Sequence, residues 1–227
     1  MLIISAYTLE KNIFFDIINK EDFYMKNNLI ICIGRQYGSG GREVGKLLAD
    51  NLKIPYYDKE LIYEMAKQSG ISKELLNVYD EKPTNSLLYS LSMGTYNYGT
   101  SLNAFADLPI NDKIYFVQND TIKKLAKNSC VIIGRCAANI LNNNFNVLSV
   151  FIHCDIDKRI ERISKVNNIS NEEALALIKK TDKKRAAYHN YYCENKWGEA
   201  SSYDISINSK IGIEKTAEII LSTIKYI

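Results

Sequence analysis

The sequence predicts an α/β domain in which a mostly parallel sheet lies between helical layers. Two observations carry that expectation. Short β-branched apolar runs alternate along the chain with segments whose apolar residues recur at helical spacing. Between the first apolar run and the first helical segment stands a glycine cluster, GRQYGSGGREVG at 34–45, the position at which open α/β sheets place anions.

Composition sets the outer limits. At 227 residues the chain is long enough for one substantial core with a small accessory lobe. Apolar residues make up 46% and charged residues 24%, ordinary for a soluble domain. A formal charge of +3 is too small to argue for nucleic acid by itself, so no nucleic-acid polymer is expected as partner, and it suits an anionic small molecule if the cations converge. Cys32, Cys130, Cys136, Cys154 and Cys193 are scattered, without a CxxC pair or a histidine at ligand spacing. Reduced, mostly buried thiols in a cytoplasmic protein are expected. No run reaches the ~18 apolar residues of a membrane span. Residues 1–24 lack a basic start and a small-residue cleavage site, and are expected to be an appendage to a domain beginning near Met25.

The elements follow in order. Leu29–Gly34 reads as a strand covered on both faces. Val44, Leu47, Leu48 and Leu52 then mark a helix, and Pro55 separates it from a very short strand at Tyr56–Asp58. Leu61, Ile62, Met65 and Ala66 continue a helical rhythm. From Pro83 to Pro109 no period holds, which fits an inserted lobe. Ile114–Lys127 reads as a helix, Cys130–Ile133 as a buried strand ending in Gly134-Arg135, and Val147–His153 as another strand. Ile156, Ile160 and Ile163 lie on the next helix. Ser170 with Glu173 makes a capping-box signature for the one after it. A strand at Tyr203–Ile207 and a helix through Ile213, Ala217, Ile220, Leu221 and Ile224 close the chain.

The glycine cluster is a departure from the phosphate-binding pattern GxxxxGK[ST], in which backbone N–H groups cradle phosphates, Lys neutralises them and Ser/Thr binds Mg²⁺. With Gly40 as the last motif glycine, Arg35 stands first, Gly41 at the Lys position and Arg42 at the Ser/Thr position. Shifted by one, Arg42 takes the Lys position and Glu43 the Ser/Thr position. Gly38, Gly40 and Gly41 can still turn tightly and form an anion nest, with the following helix adding its positive end. Arg42 offers a fork of donors, and Ser39 carries a spare hydroxyl for a metal shell. A ligand-free strand-to-helix turn is the plain alternative.

Arg159 and Arg162 share a helix face, and the run 179–185 adds five positive residues and one negative. Its lysines read as a solvated face. Asp182 and Arg185, three apart, are expected to pair. In AAYHNYYCENKWG, packing of Tyr188, Tyr192 and Trp197 against a neighbouring lobe explains the aromatics better than base stacking along RNA. His189 reads as a helix-surface or capping residue and His153 as structural. Asp58 admits two readings, as N-cap of the next helix or as a group steering nucleotide or Mg²⁺ from the carboxyl side of the sheet.

The ordered set GRQYGSGGREVG, PYYDKELI at 55–62, VIIGRCAANIL at 131–141, FIHCDIDKRIERI at 151–163, DKKRAAYHNYYCENKWG at 182–198 and YDISINS at 203–209 resembles the cytidylate-kinase-like family. This is a divergent branch of P-loop nucleoside monophosphate kinases. The resemblance implies a P-loop NTPase-like three-layer sandwich with a parallel five-stranded sheet. It implies a kinase-like domain over 25–227, an NMP-binding-side insertion at about 71–112 and a LID region at about 157–195. It also implies ATP-dependent phosphoryl transfer with Mg²⁺ to a nucleoside monophosphate, CMP or dCMP leading. A non-catalytic nucleotide-binding protein, or a kinase with a non-nucleotide acceptor, remains open on the same fold. Nucleotide-binding residues would be Gly38, Ser39, Gly40, Gly41 and Arg42. Arg42, Arg159, Arg162 and Arg185 would serve catalysis, Asp58 and Arg135 the acceptor, and Ser39 the metal. Established cytidylate kinases carry the P-loop Lys and an Asp after the Gly-Arg pair. Gly41 and Cys136 stand in those places here.

Overall fold

A computed structural model describes residues 28–58, 109–141 and 145–226. In chain order these form β1 (Ile30–Arg35), α1 (Gly41–Leu52), β2 (Tyr56–Tyr57), α2 (Ile110–Leu125), β3 (Cys130–Ile133) and α3 (Ala137–Leu141). β4 (Val147–His153), α4 (Ile156–Asn167), α5 (Asn171–Tyr192), β5 (Ile205–Asn208) and α6 (Ile213–Thr223) follow. The five strands form one sheet in the order β2-β3-β1-β4-β5, and every pairing is parallel.

The pleats of the central strands supply both helical layers with apolar side chains. Ile31 and Ile33 of β1, with Val131, Ile133, Val150 and Ile152, pack against Val44 and Leu48 of α1 and Ala217 and Ile220 of α6. Ile30 and Cys32 face the other way and join Cys130 and Ile132 against Ile122 and Leu125 of α2 and Leu141 of α3. The apolar run at β1 is therefore continuous because both faces are covered. The order places β1 between β3 and β4, so successive crossovers change direction beside it. Such a switch point opens a crevice at the carboxyl ends of the strands.

The α4–α5 hairpin lies outside this sandwich. Its own small core is Ile163, Ala174 and Ile178. Ser170 accepts from the Glu173 N–H at 3.2 Å while the Glu173 carboxylate accepts from the Ser170 N–H at 2.9 Å, so the capping box is present on both sides. The lysine run is part of α5, which continues to Tyr192.

Boundary differences have local causes. α2 starts at Ile110 because Pro109 provides its N-cap with a fixed φ of −54°. β5 starts at Ile205 rather than Tyr203. The Asp204 carboxylate is bound to the Ser149 N–H and hydroxyl at 2.8 and 2.7 Å, and the Tyr203 ring packs 4.9 Å from Phe151. The expected helix at Leu61–Ala66, the insertion as far as residue 108, and the appendage at 1–24 lie outside the described residues.

Candidate active site

The glycine turn leaves the sheet between β1 and β4. The Gln36 N–H donates to the Ile152 carbonyl at 3.0 Å, and Gln36 Oε1 accepts from the Cys154 N–H at 3.1 Å. Gly38 and Gly40 then take φ of 80° and 79°, a region that L side chains rarely occupy. α1 begins at Gly41 with Gly40 as N-cap and no side-chain cap, so its first-turn N–H groups are available to an anion. Ser39 is fully buried, its hydroxyl donates to the Gln36 carbonyl at 2.9 Å, and its carbonyl accepts from Ser209 Oγ at 2.6 Å. Its expected role as a metal ligand therefore finds no support in this arrangement. The hydroxyl braces the turn from inside.

The arginines divide into two groups. Three hold the scaffold. Arg42 Nη2 lies 2.5 Å from Asp58 Oδ2, with the Arg side chain 54% exposed, and it also reaches the Tyr56 hydroxyl. Two expected site residues thus meet each other, joining the start of α1 to the end of β2. Arg159 is buried and donates to Asp182 Oδ2 at 2.8 Å, while Asp182 Oδ1 accepts from the Tyr37 N–H at 2.7 Å. Burial pushes the Asp182 carboxyl up, and the Tyr37 N–H, Arg159 and Arg185 pull it down. The hydrogen-bonded partner of Asp182 is Arg159, across the hairpin, rather than the expected Arg185 in its own helix. Arg162 donates to the Gly38 carbonyl at 2.9 Å.

The second group converges on a small open cavity at the ends of β1 and β3. Arg185 reaches it by donating to the Arg35 carbonyl at 3.2 Å, its guanidinium 5.5 Å from the centre of the Tyr37 ring. Arg135 is 4% exposed and sits in a turn whose three residues, Gly134, Arg135 and Cys136, all have positive φ. Two consecutive non-glycine residues in that region cost of order 1–3 kcal/mol each, and such strain clusters at functional sites.

Arg35 is the third cation, and the sequence reading passed over it. Its stem runs past Gly41, where a Cβ would lie 2.7 Å from Arg35 Cβ, and its guanidinium lies across Gly134, where a Cβ would collide with Nη1. Gly41 therefore occupies the P-loop Lys position for a steric reason: a side chain there would displace Arg35. Both glycines are plain in the sequence, but only the fold brings them against Arg35.

Tyr188, Trp197 and Tyr203 line the cavity, and Tyr192 packs behind Tyr188. The buried Tyr188 hydroxyl donates to Gln118 Oε1 at 3.2 Å, and burial holds the phenol well above its ordinary range. Tyr192 stacks on Tyr115 with ring centres 4.0 Å apart. Trp197 meets Phe151 edge-on. The expected packing role of these rings is what the structure has. His189 departs from expectation: its Nδ1 lies 4.0 Å from Cys136 Sγ and its Nε2 lies 3.0 Å from Asn195 Oδ1. Cys193 joins the pair. Its hydrogen bond with Cys136, and a weaker one with His189, pull its thiol down to about 6 against the effect of burial.

The turn and the three cavity arginines suit phosphate groups. Of the residues expected to serve a metal or steer it, Ser39 is fully buried and Asp58 is paired with Arg42. Mg²⁺ commonly enters such sites on substrate phosphates with most of its water retained.

Residues 30–211 match the cytidylate kinase-like family. The chain is 27% identical over 197 residues to a cytidylate kinase of Sulfolobus acidocaldarius, covering 86% of this chain and 93% of that protein. Among solved structures it is similar to an uncharacterized protein from Eubacterium ventriosum, with 34% identity, a TM-score of 0.66, and coverage of 87% and 98% of the two chains. It also shares its fold with a shikimate kinase from Bacteroides thetaiotaomicron, at a TM-score of 0.51, 15% identity, and coverage of 87% and 98%. The α/β sandwich built on a P-loop NTPase-like sheet, and the match over most of the chain, establish that this protein belongs to the cytidylate kinase-like family.

Proposed function

We propose that this chain transfers a phosphoryl group from ATP to a nucleoside monophosphate, with CMP or dCMP the leading acceptor. The observation that carries this reading is the convergence of Arg35, Arg135 and Arg185 on one cavity at the β1–β3 switch point, directly beyond the glycine turn. Phosphoryl transfer spreads negative charge over three equatorial oxygens, and positioned cations are most of what an enzyme supplies.

In this reading the Gly38–Gly41 turn and the start of α1 hold the donor phosphates. Arg35, running from the helix start to Gly134, faces the group in transit, and Arg135 and Arg185 hold the acceptor phosphate. An acceptor oxygen, already ionised at neutral pH, bonds to the γ-phosphorus as the bond to the bridging oxygen breaks and ADP leaves. No side-chain base is needed. The metal's contribution would be to neutralise charge on the donor's β- and γ-oxygens. The α4–α5 hairpin acts as the LID, bonded to the turn through Arg162 and Asp182. Cys136 stands where a cytosine-recognising carboxylate would be, so preference among bases is shallow.

The test is ADP formation by the full chain with ATP/Mg²⁺ and each common NMP and dNMP in turn. Acceptor-dependent ADP with CMP or dCMP modestly ahead is expected. Equal or better turnover of UMP, AMP or GMP would overturn the cytidine ranking. Clear ATP binding without acceptor-dependent ADP would favour the non-catalytic reading or a non-nucleotide acceptor.

A further inference from the structure

Cys136, His189 and Cys193 lie apart in the sequence and together in the fold. Cys136 comes from the strained turn after β3. His189 and Cys193 stand four apart, His189 in the last turn of α5 and Cys193 as its C-cap, with the Cys193 N–H donating to the His189 carbonyl at 2.8 Å. The two sulfurs and one imidazole nitrogen are all within 4.8 Å of one another.

The imidazole is oriented for a ligand. Asn195 Nδ2 donates to the Ser202 carbonyl at 3.3 Å, which turns its Oδ1 toward His189 Nε2 at 3.0 Å. Nε2 must then carry the proton, and Nδ1 presents its lone pair to the sulfurs. A ring nitrogen fixed by an outer hydrogen bond is the usual arrangement around a metal-binding histidine. Zn–S distances of about 2.3 Å and Zn–N distances of about 2.0–2.1 Å put tetrahedral ligand atoms roughly 3.5–3.8 Å apart. The observed Cys136–His189 separation of 4.0 Å needs only a slight contraction.

We propose that Cys136, His189 and Cys193 form a site for a thiophilic divalent cation, with Zn²⁺ the fitting ion and the fourth position open to the cavity. Two thiolates balance the charge of the ion, and three protein ligands leave room for water or a substrate group. Cys136 and His189 both line the cavity, so the open position faces the same space as Arg135 and Arg185. Metal at this site ties the end of α5 to the turn that carries Arg135. The proposal holds whichever nucleotide the cavity takes.

The test uses the reduced, metal-stripped full chain titrated with Co²⁺ alone, then with Zn²⁺. One equivalent of Co²⁺ should give a sulfur-to-cobalt charge-transfer band and the intense visible bands of tetrahedral cobalt, both bleached by Zn²⁺. C193S and H189Q, checked for folding by circular dichroism, should lose the tetrahedral spectrum. N195A should bind about 10- to 100-fold more weakly. Zn²⁺ at 100-fold excess over its Kd should raise the wild-type Tm by roughly 5–10 °C and leave that of C193S unchanged. An octahedral spectrum, no spectrum, or full retention of the bands in C193S would overturn the assignment.

Discussion

Restoring the standard P-loop lysine should inactivate this protein. In G41K the new Cβ would sit 2.7 Å from Arg35 Cβ and 3.1 Å from its Cγ. The Cγ can swing away by rotation, but Arg35 Cβ is fixed to the β1 backbone, so the start of α1 must move. Overpacking of this kind costs about 1–3 kcal/mol, equivalent to a Tm fall of roughly 2–12 °C for a domain of this size. The larger effect is on chemistry. Displacing Arg35 removes a charge-assisted contact to the transferring group, worth about 1.5–3 kcal/mol, or roughly 10- to 150-fold in kcat/KM. Steady-state ADP formation with the best acceptor would be measured for wild type, G41A, G41K, R35G and R35G/G41K. G41A, which adds only the Cβ, should already lose activity. The double variant should exceed R35G alone, because removal of the Arg35 side chain opens space for the lysine, and the pair should be strongly non-additive. Wild-type or better activity in G41K would refute the steric reasoning.

Other expectations follow from the scaffold. D182A should lower stability by about 3–5 kcal/mol, because it leaves the buried Arg159 without its carboxylate and the Tyr37 N–H without its acceptor; D182N, which keeps an acceptor oxygen for only one of the two donors and turns an NH2 toward the other, should recover little of that loss in urea unfolding. S170A should cost about 1 kcal/mol of stability through the lost α5 cap, with turnover unchanged. R42A and D58A should be mild and mutually non-additive, because the two side chains act as one half-exposed pair worth at most about 1 kcal/mol.

The sheet was legible because its three central strands are largely buried on both faces, so Leu29–Gly34, Cys130–Ile133 and Val147–His153 stand out as runs whatever their neighbours. The α5 cap was legible because a capping box is local, with Ser170 and Glu173 three residues apart. The arginines were not. Spacing suggested an Asp182–Arg185 pair, but Arg159 packs across the hairpin and takes the carboxylate. The Arg42–Asp58 contact was not legible either, because Asp58 follows a separate short strand that no sequence offset reveals. Arg35 was hidden for the converse reason. Its placement rests on empty space at Gly41 and Gly134, and the absence of a side chain carries little signal until the backbone is folded around it. The Cys136–His189–Cys193 cluster was half legible: His189 and Cys193 are four apart, a spacing the sequence analysis did not credit, and only the fold adds Cys136 from the turn after β3.

The most direct test of the central claim compares R35A with R42A. Both would be confirmed as folded by circular dichroism, and kcat/KM would then be measured for ATP with a saturating acceptor. The account predicts a loss of at least about tenfold in R35A and a change within about fivefold in R42A. A silent R35A beside a tenfold or greater loss in R42A would contradict it, and would return the positive charge of the phosphate-binding turn to Arg42.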